Sequence, residues 1–418
     1  MATKEHSLKF KAFVAVPPGE VYRAFTHATA LRDWLADAAQ SEARVGGRLY
    51  LFWTSGYTAT GEYRTLEPGA RVEFGWLGAG EPEPSQVQVK LKAKDGGTSV
   101  QLTHSRLGGG KKWAASLAQI QRGWEVSLEN LKAVLETGND LRVARLPRLG
   151  IFIDDLTAEA AARLGVPVSD GTLLAGVVEG AGAHAAGLQK GDVIVRMDGK
   201  KITRSFDTLR AVLARHQAGD EVPVVFYRGP EKHSVSMTLS ARPTPPELPA
   251  SGAALAEAAK QHYATFIGDM RQRLAGVTDA EAEHAPAPNE WNLKQLVAHF
   301  IACERDLQAW IADMLNDNTV GDSLEFRPNV AVRLNAIVAR YGSLPALLDE
   351  LQAAANETVA LLAALPDSFV ARKPMFGRAA SWITNVVPSH LPDEHGDQLA
   401  ATLAAARELP AAALRGEN

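Results

Sequence analysis

The first third of the chain changes from strand-like to helix-like patterning. Residues 48–53, 57–66 and 71–76 have strand character, and residues 86–93 and 98–104 alternate apolar and polar side chains around Lys94-Asp-Gly-Gly, a hairpin signal. From Trp113 to Leu135, apolar residues recur every three or four positions, which predicts one long helix with a single apolar face. This order favours a curved antiparallel sheet packed on a C-terminal helix.

The middle of the chain has short strands separated by glycine turns. Residues 171–201 predict a strand, a short helix that ends at Gly187, a second strand and a tight turn at Asp198-Gly199. Residues 206–214 predict a helix, and residues 222–228 and 232–239 predict a final hairpin.

Helical spacing dominates after residue 250. Apolar residues recur at intervals of three or four within segments that cover residues 255–274, 292–314, 330–340, 343–365 and about 390–408. The enrichment in alanine after residue 250 adds helix propensity. We therefore expect a bundle of the four-helix type with one long connection.

Two breaks divide these patterns into three modules. The first long helical pattern stops at Gly138, and residues 242–249 contain four prolines, which favours an extended linker. We predict a multidomain α+β protein with domains at residues 1–140, 147–242 and 253–410, and with a Pro-rich linker at residues 243–252.

Composition and charge narrow the classes of function. The 418 residues include one cysteine, Cys303, so an internal disulfide framework and a Cys-rich zinc site are excluded. The net charge of −4 provides no general attraction to nucleic acid or anionic lipid. No long apolar run predicts a secretory signal or a membrane span. We expect a cytoplasmic protein that binds neither nucleic acid nor membranes.

Several short motifs in the first module resemble one superfamily. Val21-Tyr-Arg-Ala-Phe, Leu31-Arg-Asp-Trp-Leu, Gly46-Gly-Arg-Leu, Gly61-Glu-Tyr and Gly123-Trp with Leu128-Glu-Asn-Leu are similar to motifs of the START/Bet v-like (SRPBCC) superfamily, and most of all to homologues of the activator of the heat-shock-protein-90 ATPase. The resemblance implies a helix-grip fold. Its cavity would bind an apolar small molecule, or its surface would bind a partner such as a chaperone client.

The tryptophans of this module are the candidates for lining such a cavity, because aromatic rings offer large apolar faces. Core packing is the alternative role for all five: Trp34, Trp53, Trp76, Trp113 and Trp124. His104 lies in a predicted strand and has the character of a structural histidine. Gly108-Gly-Gly-Lys-Lys lacks the spacing of a phosphate-binding loop, so we interpret it as a flexible loop.

The second module resembles a PDZ domain with the strand order of bacterial HtrA-type proteins. In that family a Leu-Gly-Ile-like loop presents backbone N–H groups to the C-terminal carboxylate of a peptide, which adds to the sheet as an edge strand. The resemblance assigns peptide binding to Arg148, Leu149, Gly150, Ile151 and Phe152 in the loop and strand and to Phe206, Leu209 and Leu213 in the helix. Intramolecular docking or spacing is the alternative. No Gly-x-Ser-x-Gly motif or catalytic triad order supports a protease.

The third module resembles the DinB-like superfamily in the stretch from Ala287 to Arg305, where a Trp-Asn start leads to His299. Members commonly bind a divalent metal with this histidine and a His-x3-His pair in the last helix, and some are thiol-dependent transferases. Here the pair is His390 and His395, a His-x4-His spacing. Residues five apart lie about 140° apart around an α-helix, so an ideal helix does not aim both at one ion.

A start of the helix after His390, near Pro392, or a one-residue π-bulge would restore the geometry. The alternatives are therefore a site for zinc, nickel or iron made of His299, His390 and His395, or a decayed site in a structural bundle. Cys303, one turn after His299, has the character of a buried structural thiol.

Three functions follow from these resemblances, and we favour the first. It is an adaptor that binds an apolar ligand or client in the helix-grip domain and protein C-termini in the PDZ domain. The main alternative is a metal-dependent thiol transferase or hydrolase with its active site in the bundle, and a chaperone co-regulator is a third function, which the resemblance of the first module alone suggests. The first two modules contain no convincing catalytic constellation, so we expect the chain to bind rather than to catalyse unless the bundle holds a metal.

Overall fold

A computed structural model describes residues 6–243, 246–318, 320 and 331–408. The chain divides into two compact units, Met1–Gly138 with Glu247–Asn418, and Asn139–Pro246. The second unit contains the module that resembles a PDZ domain, and we call it the PDZ unit; in sequence it lies between the two parts of the first unit. In the predicted linker, residues 244 and 245 lie outside the described residues, as do residues 319, 321–330, 409 and 410 of the predicted bundle.

The first domain is a seven-stranded antiparallel sheet packed on one long helix, as the sequence predicts. In chain order the elements are β1 His6–Val14, α1 Pro18–Ala24, α2 Ala28–Trp34, β2 Ala38–Ser41, β3 Arg48–Phe52, β4 Thr58–Glu67, β5 Arg71–Gly78, β6 Ser85–Lys94, β7 Gly97–Leu107 and α3 Ala114–Thr137. The strands pair in the order β1-β7-β6-β5-β4-β3-β2.

Local sequence explains the hairpin and the end of the helix. Asp95 and Gly96 both have positive φ, 48° and 77°, which is the turn geometry that an Asp-Gly pair favours between two strands. The predicted apolar face of α3 is buried against the sheet at Ile120, Trp124, Leu128 and Leu131. The helix then ends at Gly138, whose φ of 78° suits a residue without a Cβ.

The PDZ unit combines one sheet with short helices. Its elements are α4 Leu141–Ala144, β8 Ile151–Asp154, α5 Ala158–Leu164, β9 Thr172–Val177, α6 Gly182–Ala185, β10 Val193–Met197, β11 Lys200–Lys201, α7 Phe206–Leu213, β12 Glu221–Arg228 and β13 Glu231–Thr238. The strands pair in the order β13-β12-β10-β9-β8, with β11 paired to β10, so β8 lies at an edge of this sheet.

The third domain is helical, and its last part differs from the expectation. The continuous helical run begins at Lys373 rather than near residue 390, and it contains two π-helical segments, Trp382–Val386 and His390–His395. The α-helices are α8 Gly252–Arg273, α9 Asp279–Ala282, α10 Leu293–Leu315, α11 Ala331–Tyr341, α12 Leu344–Ala363, α13 Asp367–Val370, α14 Lys373–Ser381, α15 Val387–Ser389 and α16 Gly396–Arg407. Within the described residues, no helix has the length and apolar character required to cross a membrane.

The helix-grip domain and the bundle keep separate hydrophobic cores within their common unit. Charged side chains join them. The Arg23 guanidinium pairs with Asp317 at 2.5 Å, and Arg372 contacts both Asp317 and Glu20, at 2.9 and 3.3 Å. We call this set, together with the 2.5 Å Arg378–Asp33 pair, the interdomain charge cluster: Glu20, Arg23, Asp33, Asp317, Arg372 and Arg378.

Candidate functional site

The helix-grip domain contains a cavity of about 220 Å³ between α3, the β3–β4 hairpin and β5. Three of the five candidate tryptophans line it, and polar groups accompany them. The lining residues are Leu35, Trp53, Ser55, Tyr57, Trp76, Gln119, Ile120, Gly123, Trp124 and Ser127. Trp34 and Trp113 do not line this cavity.

Both of these tryptophans are packing residues of the core. Trp34 is 1% exposed, packs edge-on against Phe25 at 5.0 Å and donates its indole N–H to the carbonyl of Ala24. Trp113 is 4% exposed and precedes the first turn of α3. Composition alone did not separate these two from the cavity-lining three, because all five are apolar residues of one domain.

The indole N–H groups of the cavity tryptophans are satisfied inside the wall. Trp53 donates to the carbonyl of Leu35 at 2.7 Å, Trp76 to the Glu81 carboxylate at 3.2 Å and Trp124 to His104 at 3.0 Å. The cavity therefore presents the carbon faces of these rings.

His104 is fully buried and has a structural role, in agreement with its interpretation from sequence. Its Nδ1 accepts from Trp124, so Nε2 carries the proton and donates to the Ser85 hydroxyl at 2.7 Å, which donates to the carbonyl of Trp76 at 3.0 Å. Burial lowers the pKa of His104 to about 4. This neutral histidine connects two cavity tryptophans, and sequence reasoning did not identify that link.

The PDZ unit places the predicted loop residues next to an open sheet edge. Gly150 has a φ of 77°, and a Cβ at this position would lie 2.1 Å from the Cβ of Ala181, so only glycine fits. The backbone N–H groups of Leu149 and Gly150 have no hydrogen-bond partner among the described residues. The buried Nε of Arg148 likewise lacks a partner there.

The side chains assigned to peptide binding fall into two groups. Phe152 and Phe206 are 59% and 53% exposed, which is unusual for phenylalanine. Leu149, Leu209 and Leu213 are 3%, 1% and 4% exposed and belong to the core of the unit, and Ile151 is partly buried against it. These three leucines therefore pack in the core beneath β8 and α7 and are not exposed to contact a peptide.

Three histidines converge in the bundle. His299 lies on α10, and His390 and His395 are the first and last residues of the second π-helical segment. One nitrogen from each lies within 4.8 Å of the others, and the Nε2 atoms of His299 and His390 are 3.3 Å apart. Two nitrogens about 2.1 Å from a tetrahedral zinc ion would be about 3.4 Å apart.

The π-helical segment explains how a His-x4-His pair reaches one point. Its backbone hydrogen bonds join residues five apart, so His390 and His395 face the same side, which an α-helix would not allow. Pro388 and Pro392 have no N–H to donate to a regular α-helical bond. Of the two possibilities open from sequence, the structure therefore has the π-helical one, and it extends over six residues.

The surroundings of the histidine cluster orient and desolvate the rings. Gln398 accepts from Nδ1 of His395 at 2.8 Å, which leaves Nε2 of that ring available as a ligand atom. Trp291 stacks near His395 at 6.3 Å between ring centroids, and Phe300 meets His390 edge-on at 5.0 Å. Burial, followed by the proximity of His299 and His395, lowers the pKa of His390 to about 3.

Cys303 is 6% exposed, and its Sγ lies 3.5 Å from Nε2 of His299. A second buried polar group, which sequence reasoning missed, is Glu304 in the same helix. Its carboxyl accepts from the hydroxyls of Tyr263 and Thr358, both at 2.8 Å, and burial raises its pKa to about 7. The signal that could have identified it is a charged residue on the apolar face of α10.

The architecture is that of a multidomain α+β protein made of a helix-grip domain, a PDZ domain and a helical bundle. Family models confirm the three resemblances. The Activator of Hsp90 ATPase homolog 1-like model matches residues 15–136, the PDZ domain model residues 147–239 and the DinB superfamily model residues 262–391. The last match ends before His395.

Curated relatives match in part. The chain is 33% identical over 100 residues to a probable periplasmic DegP-like serine endoprotease of Marinomonas sp., which is 24% of this chain and 21% of that protein. A probable periplasmic serine protease do/HhoA-like of Haemophilus influenzae is 34% identical over 27% of this chain and 23% of its own length. The chain thus spans about a fifth of the length of these relatives, and the matches are to the PDZ part.

Solved structures match about a third of the chain. An HSP90 activator from Plasmodium falciparum is 27% identical, with a TM-score of 0.28 and coverage of 31% of this chain and 95% of that one. The Aha1 dimer from Colwellia psychrerythraea is 21% identical, with a TM-score of 0.29 and coverage of 32% and 98%.

Proposed function

We propose that this chain is a multidomain binding protein whose PDZ domain captures the free C-termini of other proteins. The observation that carries this proposal is the Leu149–Gly150 loop, whose two N–H groups lack partners in the described structure beside the edge strand β8. Unpartnered backbone donors suit a carboxylate, and an open sheet edge suits an added peptide strand.

The side chains around the loop define the preferred peptide. The Nε of Arg148 is buried without a partner, so a carboxylate would supply the missing acceptor. Exposed Phe152 and Phe206 offer apolar contacts on the strand and the helix. We expect peptides with apolar residues near a free C-terminus.

Binding of fluorescent peptides to the full-length protein tests this function. A peptide with an apolar C-terminal residue should bind as the free acid and at least about tenfold more weakly as the amide, because one charge-assisted contact contributes about 1.5–3 kcal/mol. Arg148→Gln should weaken binding of the acid and narrow its difference from the amide. Equal affinities for acid and amide would contradict the assigned loop.

The cavity of the helix-grip domain is the second proposed binding site, for an apolar small molecule. Its support is the indole-lined cavity of about 220 Å³. A chaperone client on the surface of this domain stays an alternative that the family resemblance suggests. The cytoplasmic location also stays a prediction.

The histidine cluster favours a second candidate function, metal-dependent chemistry in the bundle. Three imidazoles are suitable ligands for zinc, nickel or iron, and the 3.3 Å separation between the Nε2 atoms of His299 and His390 fits one ion. His299 and His390 would hold the ion from the buried side, and Gln398 would fix the ring of the half-buried His395. A bound ion supplies Lewis-acid activation of a water or thiol.

Elemental mass spectrometry of the purified full-length protein tests the metal site. We expect about one divalent metal per chain, lost in His299→Ala and retained in His262→Ala, a histidine of the same bundle outside the cluster. Absence of metal after reconstitution with zinc, nickel and iron would show that the histidine cluster is a structural feature. The adaptor would then be the remaining candidate function.

A further inference from the structure

A glycine, Gly123, lies within the long helix α3 where that helix borders the cavity. Glycine in a helix interior costs about 1 kcal/mol relative to alanine. Gly123 is not one of the glycines with a positive φ, and a Cβ at its position would meet nothing within 4 Å. Neither backbone strain nor close packing therefore requires a glycine here. It lines the cavity, and the consequence of its missing side chain is space at the cavity mouth.

Gly123 is part of a stripe along α3. Gln119, Gly123 and Ser127 are four residues apart, so they lie on one face of the helix, and all three border the cavity. Gln119 and Gly123 are exposed, whereas Ile120 and Trp124 beside them are buried. The cavity therefore has a polar mouth and an aromatic interior.

The interior consists of ring faces rather than ring N–H groups. Trp76 lies 5.5 Å from Trp124 and 6.3 Å from Trp53, with tilted planes, and the N–H of each indole is bonded within the wall. Each favourable contact between aromatic rings adds about 0.5–1.5 kcal/mol beyond the burial of area. A flat aromatic guest gains this term, and a saturated guest of the same size does not.

The lining offers no counter-charge for an ionic guest. Its residues are aromatic, aliphatic, hydroxyl-bearing or amide. The nearby Glu81 carboxylate already accepts from the hydroxyl of Tyr57 at 2.8 Å, the indole of Trp76 at 3.2 Å and the backbone of Gly78 at 3.0 Å. A charged ligand would lose hydration without a partner, which is costly.

We propose that this cavity binds an uncharged, flat aromatic molecule of one or two rings, with a polar substituent directed toward Gln119 and Ser127. This inference rests on the proposed ligand-binding function of the cavity and names its chemical class. The size agrees, because an apolar cavity of about 150 Å³ accommodates benzene, whereas drug-sized ligands occupy pockets of about 300–1,000 Å³.

Calorimetric titration of the full-length protein with three matched probes tests the class. 2-Naphthol is flat and uncharged at pH 7, 2-decalol has the same carbon skeleton and hydroxyl without aromaticity, and 2-naphthoate has the rings with a negative charge. We expect one 2-naphthol per chain, and at least tenfold weaker binding of the other two probes.

Two glycine substitutions locate the site. Gly123→Leu should reduce 2-naphthol affinity at least tenfold by filling the mouth, while it removes a helix-destabilising residue. Gly268→Leu is the matched control, since Gly268 is also an exposed glycine within a helix, α8, and a Cβ there meets nothing within 4 Å. It should leave the affinity unchanged.

The possible failures are distinct. If neither 2-naphthol nor 2-decalol binds, the proposed ligand-binding function of the cavity is wrong. If 2-decalol binds as tightly as 2-naphthol, the cavity binds ligands but the aromatic class is wrong, and equal binding of 2-naphthoate refutes the requirement for an uncharged guest. Unchanged binding in Gly123→Leu would place the probe elsewhere.

Discussion

Asp33 in α2 and Arg378 in α14 form a 2.5 Å ion pair between the helix-grip domain and the bundle. The side chains are only 6% and 13% exposed. Removal of one partner from a buried pair costs about 3–5 kcal/mol, whereas an exposed pair contributes about 0–1 kcal/mol. This contact and the other pairs of the interdomain charge cluster hold together two domains whose hydrophobic cores are separate.

The first prediction concerns this pair. Asp33→Asn should lower the free energy of unfolding of the composite unit by about 3 kcal/mol, measured by urea denaturation with tryptophan fluorescence. Asp349→Asn is the control, because Asp349 pairs with Arg271 at an exposed site and its loss should change stability by less than about 1 kcal/mol. In a double-mutant cycle with Arg378→Gln, additive effects would show that the pair is not coupled.

The second prediction concerns the insertion of the PDZ domain. The first part of the composite unit ends at Gly138 and the second part begins at Glu247. Gly138 and Leu248 both lie next to α14, because a Cβ at Gly138 would be 3.1 Å from the carbonyl of Lys373, and one at Gly377 would be 3.6 Å from Leu248. If a protease site is inserted between Pro246 and Glu247, the two fragments should co-elute in gel filtration after cleavage. Separation at physiological salt would contradict a composite unit, and Asp33→Asn should promote it.

The third prediction concerns acid sensitivity at His104. Burial lowers the pKa of His104 to about 4, below its ordinary value of 6.5, so the native state favours the neutral ring. Stability should therefore fall as the pH drops from about 6.5 to 4, by about 3 kcal/mol in total. His104→Gln preserves a donor and an acceptor and should flatten this dependence. An equally steep slope in His104→Gln would assign the acid sensitivity to other groups.

The fourth prediction concerns Glu304, whose effect on the pH dependence of stability is opposite to that of His104. Burial raises the pKa of Glu304 to about 7, above its ordinary value of 4.5, so the native state favours the protonated acid. The free energy of unfolding should fall by on the order of 3 kcal/mol as the pH rises from about 4.5 to 7. Above pH 7 it should stay at the lower level. Glu304→Gln, which still accepts from Tyr263 and Thr358, should be more stable than the parent at pH 8 and nearly equal at pH 4. Equal stabilities at pH 8 would show that Glu304 is ionised at little cost.

Sequence patterns predicted what depends on local periodicity and missed what depends on contacts. The alternation around Asp95-Gly96 and the apolar stripe of α3 determine the hairpin and the helix, and both occur as predicted. The division of the tryptophans could not be predicted, because Trp53, Trp76 and Trp124 line the cavity through the packing of separate elements, which local periodicity does not show. The interdomain pairs of the charge cluster join residues 294 to 352 positions apart, a separation at which periodicity carries no information.

The spacing of the metal-ligand candidates His390 and His395 shows what the sequence alone could not decide. From His390 and His395 alone, α-helical geometry argues against one shared ion, and the sequence leaves a π-helical alternative open. The structure has that alternative, since the segment His390–His395 is π-helical and its end residues meet His299. Pro388 and Pro392 both lack the N–H of an α-helical bond, and we infer that this loss favours the π-helical register.

The fifth prediction tests that cause. Pro392→Ala restores an N–H donor, so the segment should relax toward an α-helix and His390 should rotate out of the cluster. Zinc affinity, measured by competition with a chromophoric chelator, should fall at least about tenfold.

A rescue variant tests the change of register. Adding His390→Leu and Leu391→His to Pro392→Ala creates an i, i+4 pair with His395 and should restore the zinc affinity. The same exchange of residues 390 and 391 with Pro392 kept should not restore it, because the π-helical register would then point residue 391 away. Unchanged affinity in Pro392→Ala would show that packing against Trp291 and Phe300, rather than the missing donor, holds the π-helical register.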